Sequence, residues 1–132
     1  MRIRSFVVGA TVVGLAVALP VMLAACRGPA SISDIDWHLE TDRNASFRIE
    51  GDKLSGTDSC NRIFGEAVIS SGDPASIEFG LLGSTRMACP DTTNAQEDVR
   101  KALNGQRLVE QPDTSTLVLV DAATNERWRF VQ

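Results

Sequence analysis

The chain has 132 residues, 43% of them hydrophobic, and a formal net charge of −4. These averages join two unlike parts: residues 1–25 hold 18 of the hydrophobic residues, whereas residues 26–132 hold 11 basic against 17 acidic residues, a net charge of −6. A remainder of 107 residues supports one domain with one modest core, which excludes a multidomain enzyme, and its acidic balance argues against nucleic acid as a partner.

Arg2 and Arg4 precede an uncharged stretch, Phe6–Ala25. A basic start, an apolar run and small residues are the layout of a secretory signal. The run is also long enough to cross a bilayer as a helix, so cleaved signal and retained anchor both remain open on composition alone. The junction Leu23-Ala24-Ala25-Cys26 resembles the lipobox of bacterial lipoproteins. That resemblance implies that the Cys26 thiol receives a diacylglyceryl group (palmitate-type acyl chains). It also implies that a signal peptidase cuts after Ala25, leaving Cys26 as an acylated N-terminus. Each buried methylene adds about 0.8 kcal/mol, so several chains give stable anchoring. The expected location is the exported side of a cell membrane, with Arg27 pointing to the outer one if the host has two. Residues 26–33 read as a short polar tether, spanning at most roughly 25 Å.

From Asp34 the chain alternates. Ile35, Trp37 and Leu39 share one strand face, and Asp34, Asp36, His38 and Glu40 share the other. Phe47–Glu50 and Lys53–Gly56 flank Gly51-Asp52, a hairpin turn that would set Glu50 opposite Lys53 and Ile49 opposite Leu54. Glu66–Ser70 and Ser76–Phe79 flank a second turn cluster at 71–74. Leu81–Cys89 is mixed and is left unassigned. Asn94 with Glu97 reads as a capping box, Ala95, Val99, Ala102 and Leu103 form one apolar helical stripe, and Gly105 ends the helix. The tail is a meander of Arg107–Gln111, Thr116–Val120 and Glu126–Val131, whose short connections permit antiparallel neighbours only. The expected class is α+β: a curved, partly barrel-like antiparallel sheet of seven or eight strands over residues 34–132, with one helix packed across it.

With Cys26 acylated, Cys60 and Cys89 remain. In an exported domain they most economically form one disulfide, closing a loop worth about 3.6 kcal/mol on the loop-entropy model. Two free buried thiols and a redox pair are the alternatives, and neither cysteine lies in a C-x-x-C motif.

Gly56, Cys60-Asn61-Arg62, Gly65, Phe79 and above all Ser84-Thr85-Arg86-Met87-Ala88-Cys89 resemble the META domain family, the HslJ-like proteins. Trp37, Glu97, Leu103 and the C-terminal alternation fit its pattern, so the resemblance covers roughly Ile35–Val131. It implies a compact α+β fold and an envelope or stress-related role, and it implies no reaction. Two positions depart from the pattern. Ser59 stands where the family has glycine, which demands strain if that position needs positive φ. Ala67 stands where the family has tyrosine.

Four further groups invite chemistry. Asp34, Asp36, His38 and Glu40 offer carboxylates and an imidazole, but at about 6.8 Å spacing they cannot all reach one cation at roughly 2.0–2.6 Å. They read instead as the solvated side of an edge strand, and no metal or cofactor is expected. His38 is the sole histidine and would have to serve any triad, yet Ser59 and Ser84 lack a nucleophile-elbow context. Arg127-Trp128-Arg129-Phe130 reads as aromatics inward and cations outward. Asn61, Gly65, Thr85 and Arg86 are structural or ligand-facing, with Asn61 bonding turn backbone and Arg86 pairing with Asp58 or Asp91.

The function expected from these residues is that of a monomeric, non-enzymatic, lipid-anchored lipoprotein of the envelope that binds a small apolar ligand or an envelope protein. An inhibitor or pilot-type module capturing such a protein is the alternative, with a hydrolase behind it.

Overall fold

The computed structural model describes residues 31–132, together with Gly9 and Gly14. Cys26 and nearly all of the expected signal and tether lie outside the described residues.

The described chain forms nine strands and one helix. They are β1 (Trp37–Leu39), β2 (Asp42–Glu50), β3 (Lys53–Asp58), β4 (Arg62–Ser70), β5 (Ser76–Phe79) and β6 (Gly83–Ser84), then α1 (Ala95–Ala102), β7 (Gly105–Glu110), β8 (Thr116–Val120) and β9 (Arg127–Val131). Every pairing is antiparallel. Eight strands run in the order β3-β2-β1-β9-β8-β7-β5-β4, and β4 pairs back onto β3, so the sheet closes into a barrel. The ninth, β6, is a short strip on the outer flank of β4. The α+β class, the antiparallel curvature and the single helix agree with the sequence reading. Closure removes the free edges that an open sheet would expose.

Local chemistry places these elements. The Gly51-Asp52 turn fixes the β2–β3 register with Glu50 opposite Lys53 and Ile49 opposite Leu54, as the alternation requires. Phe47 falls opposite Gly56, where a Cβ would lie only 2.8 Å from the Phe47 Cα, so a bare backbone lets the two strands coil together tightly. Trp37, Phe47, Ile49, Ile77, Leu117, Leu119 and Phe130 fill the interior. Phe47 meets Phe130 and Phe79 edge-on, with centroids 5.0 and 6.3 Å apart. The helix stripe of Ala95, Val99, Ala102 and Leu103 is buried in the same core, with α1 against β2, β3 and β9. Trp128 and Phe130 point inward while Arg127 and Arg129 stay exposed, as the tail pattern predicts. Even the outer face of β8 is covered. Val118 and Val120 are buried there, opposite Glu110 and Arg127, which form an ion pair.

Several expectations need correction. Ile32 is buried, and its carbonyl accepts a 2.9 Å hydrogen bond from Trp37 Nε1. β1 is only three residues long, and Asp34 turns with φ 64°, so Asp34, Asp36, His38 and Glu40 do not line one strand face. Nor is β1 an edge: it lies between β2 and β9 because closure brings the last strand beside the first. β2 and β4 start earlier than the alternation indicated, at Asp42 and Arg62. The helix cap is also different. Asn94 sits at φ 65° and its side chain makes no capping bond. The Asp91 carboxylate caps instead, accepting the Gln96 and Glu97 amide protons at 3.1 and 3.2 Å, which leaves Glu97 to pair with Lys101.

Candidate functional site

The site grows from the β3–β4 turn. Asp58 Oδ1 accepts the amide protons of Cys60 and Asn61 at 2.9 and 2.6 Å, which folds Asp58–Asn61 back on itself. Ser59 lies inside this turn at φ 82°, so the serine occupies the left-handed conformation that glycine would take without strain. Cys60 is bonded to Cys89, which ties the turn to the segment after β6. The pairing expected from the cysteine count is therefore present.

Asn61, nearly buried at 8% exposure, completes the joint. Its Oδ1 accepts from the Met87 amide at 2.6 Å and from the Thr85 hydroxyl at 3.1 Å, and its Nδ2 donates to the Met87 carbonyl at 3.2 Å. The Thr85 hydroxyl in turn accepts the Arg62 amide proton at 3.0 Å. Asn61 and Thr85 thus spend their polar atoms on the backbone and on each other, as structural members of the motif. Gly65 has a different reason to be glycine. A Cβ there would meet the Leu81 carbonyl at 2.9 Å and the Leu82 side chain at 2.7 Å, so its absence lets residues 80–82 cross close over β4.

That crossing forms one wall of a cleft of about 530 Å³. Ile63 of β4, Val99 of α1 and Leu103 at the end of the helix give it a buried apolar floor. Leu81, Leu82 and Arg86 stand on one side, and Gln96, Arg100 and Asn104 on the helix side. The four motif residues divide accordingly: Asn61, Thr85 and Arg86 line the cleft, and Gly65 shapes its wall. Contrary to expectation, Arg86 makes no ion pair with Asp58 or Asp91 among the described residues; Asp58 Oδ1 and both Asp91 oxygens accept backbone amide protons instead.

The other candidates lie elsewhere. His38 Nδ1 is 2.8 Å from the Arg43 carbonyl on the opposite side of a strand pair and does not line the cleft. Glu40 pairs with Arg129 and Asp36 with Arg48, just outside the two ends of β1. Ser84 lines the cleft, away from His38. Sequence reasoning missed Arg100, Gln96 and Asn104 as site residues. Gln96 and Arg100 are four apart on the helix and Asn104 follows its end, but only the packing of α1 against the crossing segment reveals what they face.

The META domain family model matches residues 23–132. The chain belongs to the META domain family. Its motif residues are therefore the ones that build the cleft wall and the disulfide joint in this META domain. The fold is similar to the NMR structure of a protein from Burkholderia xenovorans, with a TM-score of 0.53 and 20% identity over 76% of this chain and 82% of that one. No functionally curated protein matches the chain. Among the described residues no helix is long and apolar enough to cross a membrane, and Phe6–Ala25, apart from Gly9 and Gly14, lies outside them.

Proposed function

We propose that this META domain is a lipid-anchored, exported, non-enzymatic binding protein of the cell envelope, serving in envelope maintenance under stress. Its ligand is a small molecule held in the cleft between residues 80–86 and α1. The cleft carries this reading: about 530 Å³ lies within the range of small-molecule sites, over a floor that is apolar and already buried. The disulfide and Asn61 brace one wall, so the site is preformed. The lipobox-like Leu23-Ala24-Ala25-Cys26 supports the anchoring, and the META resemblance supports the envelope role.

Two measurements test it. Cells fed labelled palmitate should label the wild-type chain and not Cys26→Ala, and only the wild type should sediment with membranes. Persistent labelling of the variant would remove the anchor assignment. Native mass spectrometry of the chain released from envelopes should show a bound small molecule that Leu103→Trp, filling the cleft floor, excludes.

A protein-capturing module is the second reading, favoured by exposed Phe64, Val68, Leu81 and Met87. Crosslinking in the native membrane separates the two: one protein partner captured through Phe64 or Val68 would favour the module.

A further inference from the structure

The cleft's charge is at odds with a purely apolar ligand. Residues 31–132 carry 17 carboxylates against 10 cations, so an arginine has every opportunity to find an acid. Among the described residues, Arg48, Lys53, Lys101, Arg107, Arg127 and Arg129 do, and Arg43 donates to the Gln132 carbonyl. Among the described residues three arginines, Arg62, Arg86 and Arg100, show no such partner, and two of these three line the same cleft. They come from separate elements, one from the crossing segment and one from α1, and among the described residues neither pairs with the acids around the cleft. Glu97, three residues before Arg100, holds Lys101 at 3.2 Å. Asp91 caps the helix. Asp58, the one carboxylate on the cleft lining, has Oδ1 occupied by two amide protons.

From these positions we infer that the cleft binds a small amphiphilic anion, a carboxylate or phosphate monoester on a short aliphatic chain. Arg86 and Arg100 hold the head, and Ile63, Leu82, Val99 and Leu103 receive the chain. Guanidinium groups match carboxylate and phosphate oxygens bidentately, and two of them over an apolar floor select both ends of such a molecule. The inference rests on the proposal that the cleft is a ligand site and adds the ligand's class.

Isothermal titration calorimetry on the full chain in zwitterionic phosphatidylcholine nanodiscs, corrected against empty nanodiscs, tests it. The probes are hexyl phosphate, hexanoate, hexanol and inorganic phosphate. Hexyl phosphate and hexanoate should bind one to one, about tenfold or more tighter than either hexanol or inorganic phosphate. Arg86→Gln and Arg100→Gln should each weaken them about fivefold or more, and Arg62→Gln less than about twofold. Hexanol binding as tightly as hexyl phosphate would overturn the anionic class while leaving a ligand cleft standing. Inorganic phosphate binding as tightly as hexyl phosphate would overturn the amphiphile, since the apolar floor then contributes nothing. Equal losses in all three arginine variants would also overturn it, since diffuse surface charge would then explain the binding. No saturable binding of any hexyl compound would sink both this inference and the cleft reading.

Discussion

Asn61 grips Met87 by both of its backbone groups, accepting from the amide at 2.6 Å and donating to the carbonyl at 3.2 Å. One side-chain amide thereby does what a neighbouring strand would do, just beyond the point where β6 ends. The cleft wall keeps its place although the ladder beside β4 has run out. Replacing Asn61 by Ala should lower stability by about 1–3 kcal/mol, because Thr85 and Met87 lose their partner at a nearly buried position. Urea unfolding checks this, and a loss under about 0.5 kcal/mol would remove the structural role.

Reduction of Cys60–Cys89 frees a loop spanning a sequence separation of 29. The expected loss is about 2–4 kcal/mol. The Asn61 bonds remain, so the reduced domain should stay folded at low urea. Parallel unfolding curves with and without reductant measure the difference, and coincident curves would rule out a stabilising staple.

Backbone conformation predicts two opposite signs. Ser59→Gly should stabilise by about 0.5–1 kcal/mol, since glycine takes φ 82° without the left-handed penalty even after its larger unfolded-state entropy is counted. Asp91→Ala should destabilise by about 1 kcal/mol through loss of the helix cap. Asn94→Ala would not lose a cap, because the Asn94 side chain makes no capping bond. If Asp91→Ala leaves the unfolding midpoint unchanged, Asp91 is not the cap.

Gly65→Ala should cost about 1–3 kcal/mol, since the new methyl meets the Leu81 carbonyl at 2.9 Å and the segment must shift. The same shift should weaken ligand binding in the cleft. A variant with wild-type stability and binding would show that the crossing yields freely.

Acid should act through a few carboxylates. The Thr93 hydroxyl, then the Asn44 amide, hold the Asp42 carboxyl below its usual value, and the Ser115 and Ala123 amides do the same for Asp113 and Asp121. A carboxyl with a lowered folded pKa contributes stability above its unfolded value of about 3.9, and that contribution disappears as pH falls toward the folded value. Burial raises Asp98, which has the opposite sign: its penalty at neutral pH is relieved on protonation. Urea stability should therefore hold or rise slightly as pH drops from 7 toward 5, then decline below about 4. Asp42→Asn should make that decline shallower, and an unchanged acid slope would exclude Asp42 as a contributor.

Local pattern carried much of the fold. The β2–β3 register followed from Phe47, Ile49 and Leu54 alternating about a two-residue turn. The burial of Trp128 and Phe130 and the helix stripe through Val99 and Leu103 followed in the same way, because residues two apart on a strand, or three and four apart on a helix, must share a face. Alternation overstates the length of β1 because its polar residues alternate whether or not the backbone pairs. At the helix start Asn94 satisfies the capping pattern by type, while Asp91 satisfies it by position.

By itself, the sequence determined the acidic domain, its antiparallel class, the hairpin register, the inward faces and the candidate lipid attachment at Cys26. Only the tertiary structure decided that β1 lies beside β9, that β3 closes onto β4, that Asn61 holds Met87, and that Arg86 and Arg100 border one cleft. Periodicity reports which face of an element a residue occupies. Which faces meet is set by closure of the whole sheet, which joins residues far apart in the chain and leaves no repeating mark in the sequence.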